Sequence, residues 1–555
     1  MKHTLVILIT VINVFSVKAQ KSIPQQFSID SIFSSWDYPD SPGATVGIIK
    51  DGKLIFAQGY GSANLDYNIP NEPQTVFRIG STSKQFTAAC IVLLSQQGKL
   101  SLDDKLIKFY PEFPAYANDI TIQHLLNHTS GVRDYLGLAR LSGLENDDFY
   151  TDETVEKWLA NQEELNFNPG DEYVYSNSGY WLLGQIVQNV SGVTMAEYAE
   201  ENIFIPLEMN ETHFHNDHNQ IVKNRASGYR PNRQGGYSIS MTTLNMIGDG
   251  GIFTTVEDLA KWDAAYYESI TLSKDFWAIM TKVGTLNNGD DLTYASGLEV
   301  TTYKGLKIIQ HGGSFVGFRA EMIRLPEVQF SVIILANRSD AKVTRLAYQI
   351  ADLFLKDEYK KENESISPDS EEPSLKPITL TKKQLQAFEG DYWSTRNKIS
   401  RKLEVINDTL NYVRGNGRAT QMFPISKNEF QWIGPSTPIV LEVNSKVKPK
   451  EFTLQFPNEP LSIFVAYTPL TVFSESDLET YTGEYYCAEL DVIYSLKHEK
   501  DGIMLYIKDT SALVIEQIMK DKLSWNSRLN FEFNETRDIF RLSMGRVKNL
   551  KFVKQ

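Results

Sequence analysis

Cysteine is scarce in this 555-residue sequence, which contains only Cys90 and Cys487. A disulfide-based fold needs several paired cysteines, and these two lie far apart along the chain, so we expect no disulfide framework. Cys90 falls in an apolar helical stretch, where a cysteine usually acts as small core filler. The length predicts two to four domains, and a hydrophobic content of 42% is ample for their cores.

Long apolar runs are also scarce, and the one that stands out covers residues 5–17. It is too short to span a bilayer comfortably, follows Lys2 and His3, and precedes the small-residue site Val17-Lys18-Ala19. We therefore predict a signal peptide over residues 1–19, with an uncleaved anchor as the alternative. We expect a periplasmic or secreted protein with no stable membrane insertion after signal removal.

Positive charge is in deficit, with 55 Lys and Arg against 69 Asp and Glu and a net charge of −14. The basic residues are scattered rather than clustered. Nucleic acids and anionic membranes are therefore not expected as partners, because both need a concentrated positive surface. The expected partner is a small-molecule or peptide substrate, and nothing in the composition specifies an oligomeric state.

A candidate nucleophile stands at Ser81, in the pattern Ser81-x-x-Lys84. Residues three apart on a helix share a face, and helical spacing of apolar residues continues after Ser81 until Gly98. We expect Ser81 in the first helical turn, where free backbone N–H groups favour negative charge. A serine needs a base to remove its proton, and Lys84 can be that base if its pKa is lowered.

Two further motifs follow in order: Tyr175-Ser176-Asn177, and His311-Gly312-Gly313-Ser314. Together with Ser81-x-x-Lys84, they resemble the motifs of the serine β-lactamase and penicillin-binding-protein superfamily. Residues 128–131 (His-Thr-Ser-Gly) and 250–259 resemble other segments of that superfamily. The resemblance covers residues 28–355.

The resemblance implies a role for each motif residue. Ser81 would be the acylated nucleophile, and Lys84 would activate it. Tyr175 would shuttle protons, and Asn177 would orient the substrate amide and Lys84. The backbone N–H groups of Ser81 and Ser314 would form the oxyanion hole, a type of donor whose loss typically costs about 2.7–4 kcal/mol of transition-state stabilisation. Whether Lys84 or Tyr175 is the acylation base is left open.

The third motif departs from the common Lys-Thr-Gly of β-lactamases and carboxypeptidases. His311 is expected to be mostly neutral at pH 7, and Gly312 has no hydroxyl group. Recognition of a free substrate carboxylate at His311 and Gly313 should therefore be weaker, which favours aminopeptidases, amidases or esterases. Arg319 could supply a replacement charge, although an outward surface arginine is the favoured interpretation.

The expected fold has three parts. Residues 28–355 predict an α+β domain whose antiparallel sheet pairs strands from both ends and is flanked by helices. A charged, Pro- and Ser-containing linker covers residues 356–377. The segment Leu385–Tyr392 is echoed by Leu478–Tyr485, which predicts two small all-β, barrel-like domains over residues 378–469 and 470–555. This layout resembles that of bacterial D-aminopeptidases.

Two histidine groups invite a metal interpretation. His124 and His128 have helical zinc-like spacing but lack the adjacent glutamate of His-Glu-x-x-His. A second group, His213, His215 and His218, has no supporting ligand run and reads as a surface loop. We therefore expect no metal and no cofactor.

The sequence as a whole predicts an exported serine hydrolase that forms an acyl-enzyme on Ser81 and acts on short peptides or amides, as D-aminopeptidases do. Three alternatives remain open at this stage. They are a β-lactamase or penicillin-binding D,D-peptidase, a small-ester hydrolase, and a catalytically idle domain whose β tail binds a glycan or protein.

Overall fold

The computed structural model describes residues 23–145, 148–268, 271–360, 378–415, 417–432, 439–444, 447–456, 458–469, 475–500, 502–508, 510 and 512–555. The predicted signal peptide and residues 361–377 of the predicted linker lie outside the described residues. Among the described residues, no helix combines the length and apolarity needed to cross a membrane.

The strands up to residue 336 are as follows: β1 (Ala44–Lys50), β2 (Lys53–Tyr60), β3 (Ser62–Asn64), β4 (Ile69–Pro70), β5 (Phe77–Arg78), β6 (His213–Phe214), β7 (Tyr229–Pro231), β8 (Tyr237–Ile239), β9 (Ile252–Thr254), β10 (Glu299–Tyr303), β11 (Leu306–Phe315), β12 (Phe318–Leu325) and β13 (Phe330–Ala336). Six of them form one antiparallel sheet in the order β10-β11-β12-β13-β1-β2. The first and last strand groups of this region therefore meet side by side, as predicted.

The helices of the same region are α1 (Gln26–Phe33), α2 (Lys84–Gln96), α3 (Ile122–Leu126), α4 (Tyr135–Leu141), α5 (Asp152–Ala160), α6 (Asn177–Ser191), α7 (Met195–Ala199), α8 (Val256–Glu268), α9 (Lys274–Met280) and α10 (Val343–Leu355). Short 3₁₀ turns cover Gly80–Ser83, Leu106–Lys108, Ala115–Asn118 and Pro326–Val328, and a π-helical turn covers Glu200–Phe204.

The six-stranded sheet is buried on both faces. The fully buried β13 pairs residue for residue with β1, from Ala44 opposite Ala336 to Lys50 opposite Phe330. One face packs on α1 and α10, and the other belongs to the main core that contains α2, α6 and α8. Helices on both faces of an antiparallel sheet confirm the predicted α+β class.

The first β unit is a nine-stranded antiparallel sheet with its own apolar core. It begins with α11 (Lys382–Gln386), and its strands are β14 (Gly390–Ser394), β15 (Ile399–Ile406), β16 (Thr409–Val413), β17 (Ala419–Gln421), β18 (Phe423–Pro424), β19 (Glu429–Trp432), β20 (Ile439–Asn444), β21 (Glu451–Leu454) and β22 (Ser462–Tyr467). The two edge strands, β17 and β18, are separated only by Met422, so the sheet is nearly closed.

The second β unit is a closed eight-stranded barrel. It begins with α12 (Glu475–Glu479), and its strands are β23 (Gly483–Cys487), β24 (Val492–Glu499), β25 (Gly502–Ile507), β26 (Leu513–Met519), β27 (Lys522–Trp525), β28 (Leu529–Phe533), β29 (Ile539–Met544) and β30 (Val547–Lys554). Pairing of β23 with β30 closes it. These two units confirm the expected all-β character of the tail.

The predicted internal repeat corresponds to the same substructure in both units, a short helix followed by the first strand. The hydroxyl of Tyr392 donates to the carbonyl of Phe388 at 2.7 Å, and that of Tyr485 donates to the carbonyl of Tyr481 at 3.0 Å. Equivalent tyrosines thus tie each first strand to the turn four residues earlier.

The closed barrel is docked on the helical side of the first region. Arg133 forms a fully buried ion pair with Glu489 at 2.7 Å, and its Nε donates to the Lys548 carbonyl. The Tyr494 hydroxyl donates to the Leu141 carbonyl at 2.7 Å, at the end of α4. The apolar core of the barrel is continuous with the main core of the first region.

Candidate active site

Ser81 lies in the 3₁₀ turn Gly80–Ser83 that leads into α2, rather than in the first α-helical turn that the sequence predicts. The difference arises because this turn packs directly against β11. A Cβ on Gly80, which has φ +53°, would lie 2.9 Å from the Ser314 nitrogen, and a Cβ on Gly313 would lie 1.8 Å from the Ile79 carbonyl oxygen. Two glycines therefore allow the turn that carries Ser81 and the backbone at Ser314 to approach each other.

Lys84 is buried one helical turn after Ser81. Its Nζ lies 3.3 Å from Ser81 Oγ, 2.9 Å from Asn177 Oδ1 and 2.5 Å from the carbonyl oxygen of Asp249. Burial lowers the pKa of Lys84 below its usual value, and the charge of Arg546 acts in the same direction, whereas the carboxylates of Asp249 and Asp134 oppose it. Desolvation thus brings the pKa of Lys84 closer to neutral pH and increases the fraction of the amine that is neutral there.

Tyr175 lies beside this pair. Its ring centroid is 4.9 Å from Lys84 Nζ and 4.6 Å from the guanidinium carbon of Arg546. Burial raises the pKa of Tyr175, while the nearby Ser81 hydroxyl and Arg546 lower it in part. Among the described residues, the buried Tyr175 hydroxyl has no hydrogen-bond partner of standard geometry. The phenol is therefore protonated and available to a group that enters beside Ser81.

Asn177 begins α6 and is fixed by Asp134, which sequence reasoning missed. Both the backbone N–H and the side-chain Nδ2 of Asn177 donate to Asp134 Oδ2 at 2.9 Å. The other carboxylate oxygen of Asp134 caps α4 by accepting from the N–H groups of Leu136 and Gly137. This arrangement aims Asn177 Oδ1 at Lys84 and leaves no ambiguity in the amide orientation.

His311 is neutral in this structure. Its Nδ1 lies 2.7 Å from the Gly312 carbonyl oxygen, which can only accept, so Nδ1 carries the proton. Its Nε2 accepts from the Tyr294 hydroxyl at 2.9 Å. Burial, assisted by the charge of Lys84, lowers the pKa of His311 to about 3. The third motif therefore supplies no positive charge near neutral pH.

The ring of Tyr175 packs against the buried rings of His128 and Tyr294. The ring of His128 lies 4.1 Å from that of Tyr175 and 4.6 Å from that of Tyr294, and His128 Nδ1 accepts from the Ser176 N–H at 3.1 Å. Burial holds the pKa of His128 well below its usual range. His128 thus packs as a neutral ring. It does not form a metal site with His124, whose side chain instead completes the capping box of α3.

Asp249 is a second acidic residue that sequence reasoning missed. Its carbonyl oxygen accepts from Lys84, and its carboxylate Oδ2 accepts from the Tyr135 hydroxyl at 3.1 Å. Burial raises the pKa of Asp249, although the charge of Lys84 lowers it. The sequence feature that could have indicated Asp249 is its position as an acidic residue in the glycine-rich run Gly248-Asp249-Gly250-Gly251.

Arg546 reaches the site from the closed barrel, on the turn between β29 and β30. Its Nη1 lies 3.6 Å from Asp134 Oδ2, and 47% of its side chain is exposed. The side chain of Asn166 holds the turn by donating to the Arg546 carbonyl and accepting from the Lys548 N–H. No sequence signal near Arg546 connects it with Ser81, from which it is separated by most of the chain.

The structure brings together all of the predicted site residues. Ser81, Tyr175, Asn177, His311, Gly313 and Ser314 line one cavity of about 2570 Å³, here called the catalytic cleft, and Lys84 lies beneath Ser81. The first region and both β units contribute to its walls.

The structure also places two other features singled out in the sequence, Arg319 and the second histidine group. Arg319 is not the outward arginine that we favoured, because it lines the cleft, half-buried, and donates to the carbonyls of Val316 and Phe318. The surface loop predicted at His213, His215 and His218 is wrong for the first two, because His213 lies in β6 and His215 is buried beside it, with 3.3 Å between His213 Nε2 and His215 Nδ1. Over the described ranges, no group of three or more His, Cys, Asp or Glu side chains could hold a metal ion.

The fold and the arrangement of the three motifs are those of the β-lactamase family, and comparison with known families agrees. The Beta-lactamase family matches residues 35–354, more than half of the chain, so the protein belongs to that family.

Individual relatives are distant. Penicillin-binding protein 4* of Bacillus subtilis is 28% identical over 327 residues, which cover 56% of this chain and 72% of that protein. A D-aminopeptidase of Gluconobacter oxydans is 26% identical over 300 residues, and the match spans only 56% of its length and 54% of this chain. Among solved structures, the octameric penicillin-binding protein homologue from Pyrococcus abyssi matches with a TM-score of 0.55 and 26% identity, over 79% of this chain and 98% of that one.

Proposed function

We propose that this protein is an exported serine hydrolase that cleaves short peptides or amides through an acyl-enzyme on Ser81. The observation that carries the proposal is the position of Lys84, whose Nζ lies 3.3 Å from Ser81 Oγ in a buried site. A base within hydrogen-bond reach of a serine, with a lowered pKa, is what nucleophilic catalysis requires.

In the first half of the proposed reaction, neutral Lys84 takes the proton of Ser81 as Oγ bonds to the substrate carbonyl carbon. The resulting oxyanion lies against the backbone N–H groups of Ser81 and Ser314, which are brought together by Gly80 and Gly313. Such preorganised donors stabilise the developing charge. When the C–N bond breaks, the proton passes through the Tyr175 hydroxyl to the leaving amine.

In the second half, water attacks the acyl carbon while the same groups take its proton, the bond from that carbon to Ser81 Oγ breaks, Oγ receives the proton, and the carboxylic acid is released. Asn177 keeps Lys84 in place throughout, because its own amide is fixed by Asp134. A short peptide or amide with an N-terminal D-residue is our first choice of substrate. This choice draws on the three-part layout and on the distant D-aminopeptidase relatives.

The test combines labelling and turnover. Purified protein should react with a fluorophosphonate and hydrolyse at least one of a panel of D- and L-aminoacyl amides and short esters. Ser81→Ala should lose both activities, whereas Ser95→Ala, a change on the same helix, should keep them. Absence of labelling in well-folded wild-type protein would exclude a catalytic serine and favour an idle domain.

A penicillin-binding D,D-peptidase is the second candidate, and Arg546 favours it. The neutral His311 cannot pair with a substrate carboxylate, but the partly exposed guanidinium of Arg546 lies in the same cleft, over Tyr175. Intact-mass analysis after incubation with a penicillin should then show an adduct on wild type that is absent from Ser81→Ala and reduced in Arg546→Gln. No adduct and no consumption of the drug would remove this candidate.

A further inference from the structure

The charges of the cleft wall formed by the β units differ from those of the whole chain. This wall carries seven basic side chains, namely Arg396, Arg401, Arg414, Arg418, Arg528, Arg546 and Lys548, and one carboxylate, that of Glu459. The chain as a whole has a net charge of −14. Basic residues are thus concentrated on the cleft wall formed by the β units. Such a positively charged surface raises the local concentration of anions.

Two of these arginines hold a defined arrangement around Tyr412 of β16. The guanidinium carbon of Arg401 lies 5.7 Å from the Tyr412 ring centroid, and that of Arg414 lies 5.1 Å from it. Arg401 Nε donates to the Tyr412 hydroxyl at 2.8 Å, and Arg414 Nη1 donates to Thr420 Oγ1 at 2.8 Å. Two cations are therefore fixed over one ring by neutral partners.

The neighbouring cations of the same sheet are paired with carboxylates. Lys398 contacts Glu532 at 2.6 Å, and Lys402, next to Arg401 on β15, contacts Glu404 at 3.1 Å. Within the described part of the chain, neither Arg401 nor Arg414 forms such an ion pair. Burial lowers the pKa of Arg414, and the charges of Arg401 and Arg418 act in the same direction. An anion placed among them would relieve this repulsion.

We propose that Arg401 and Arg414, held around Tyr412, form an anion-binding subsite of the catalytic cleft for a carboxylate of an acidic peptide substrate. The proposal rests on the proposed function and adds the substrate class to it. Each guanidinium has five N–H donors in a planar fork that matches a carboxylate, and only some of them are used by the protein.

The size of the cleft agrees with an extended ligand. Its volume of about 2570 Å³ exceeds the 300–1,000 Å³ that is typical of small-molecule sites. A peptide acylating Ser81 could thus reach a second contact at the wall formed by the β units. Because Arg401 and Arg414 belong to the first β unit, this unit would contribute to substrate selection.

The experiment measures binding to Ser81→Ala, which cannot turn substrate over. Two four-residue peptides with N-terminal D-alanine are compared by calorimetry at low salt, one ending in two aspartates and the other in two asparagines. The aspartate peptide should bind about tenfold more tightly, and this preference should shrink with rising ionic strength. Adding Arg401→Gln or Arg414→Gln should abolish the preference, while Arg401→Lys should keep part of it.

Lys402→Gln is the matched control, because it removes one positive charge from the adjacent position of β15 and should leave the preference intact. Equal binding of the two peptides, or an equal loss in the control, overturns the proposal. Tighter binding of inorganic phosphate than of the aspartate peptide overturns the peptide assignment in favour of a phosphorylated ligand. If turnover fails but the binding preference is present, the proposed function fails and the subsite stands.

Discussion

The pKa of Lys84 is determined by opposing effects of its surroundings. Three oxygen atoms surround its Nζ and stabilise the charged form, whereas burial and Arg546 favour the neutral form. Methionine at this position would fill similar space without a charge. We expect Lys84→Met to lower kcat/KM by at least about 100-fold, within the range for loss of a general base.

The same variant should remain folded. The substitution removes a buried charge but leaves two acceptors, Asn177 Oδ1 and the Asp249 carbonyl, without their donor, and an unsatisfied buried polar group costs about 1–3 kcal/mol. Chemical denaturation of Lys84→Met should therefore show a cooperative transition with a free energy of unfolding about 1–3 kcal/mol below that of wild type. An active Lys84→Met variant would assign the base to another group, of which Tyr175 is the nearest candidate.

The pH dependence of activity provides a test of Arg546. If neutral Lys84 is the base, kcat/KM should rise with pH as Lys84 loses its proton. Arg546 lowers the pKa of Lys84, so Arg546→Gln should raise that pKa and move the rise to higher pH. Arg541→Gln is the control, since this arginine lies on the same hairpin but pairs with Glu164 at 2.8 Å. An unshifted profile for Arg546→Gln would contradict the electrostatic role.

The residues that the sequence could predict are those with short-range patterns. Ser81 and Lys84 are three residues apart, and Tyr175 and Asn177 are two apart, so local spacing alone suggests a shared function. Asp134, Tyr294 and Arg546 could not be found in this way. Each acts through contacts with residues that are distant in the sequence, and many acidic, aromatic or basic residues were equally eligible.

At the scale of elements, the close contact between the 3₁₀ turn of Ser81 and β11 should be sensitive to mutation. A Cβ at residue 313 would lie 1.8 Å from the Ile79 carbonyl, which is backbone and cannot rotate away. Gly313→Ala should therefore displace β11 from Ser81, with a loss of stability of about 1–3 kcal/mol and a larger loss of turnover.

Gly312→Ala provides the comparison on the same strand. Its Cβ would meet the Glu321 carboxylate at 3.0 Å, the end of a side chain that can move. Turnover and thermal unfolding of both variants should be measured together. If Gly313→Ala is as active as Gly312→Ala, the close approach is not needed for catalysis.

Individual elements can be recognised in the sequence where apolar periodicity or a tight-turn signal is strong. The hairpin of β1 and β2 follows from its Asp51-Gly52 turn, in which both residues have positive φ. The region before α2 was less accessible to prediction, because a 3₁₀ turn and an α-helical turn have nearly the same sequence preferences. Its packing against β11, a long-range contact, selects the tighter form.

At the scale of the whole molecule, the Arg133–Glu489 ion pair holds the closed barrel on the first region. Both side chains are buried, at 0% and 5% exposure. Glu489→Ala leaves a buried guanidinium unpaired and should lower the free energy of unfolding by about 3–5 kcal/mol. Asp491→Ala, which removes an exposed pair with Lys157, should cost less than about 1 kcal/mol. Similar losses for both variants would show that the docking does not depend on the buried pair.

The three-part layout was visible in the sequence, but the association of its parts was not. The repeat of helix and strand predicted two β units, because each copy carries its own pattern. That the second unit shares the main core with the first region, whereas the first unit keeps its own, depends on which surfaces are complementary. Such complementarity has no local signature in a single chain.

The origin of Arg546 has a consequence for the timing of synthesis. Ser81 and Lys84 emerge from the ribosome early, whereas the turn that carries Arg546 follows hundreds of residues later. That turn joins β29 to β30, the last strand, whose pairing with β23 closes the barrel. A nascent chain would therefore carry Ser81 and Lys84 for most of translation without the cation that lowers the pKa of Lys84, and under the proposed mechanism full reactivity would arise only once the barrel had formed.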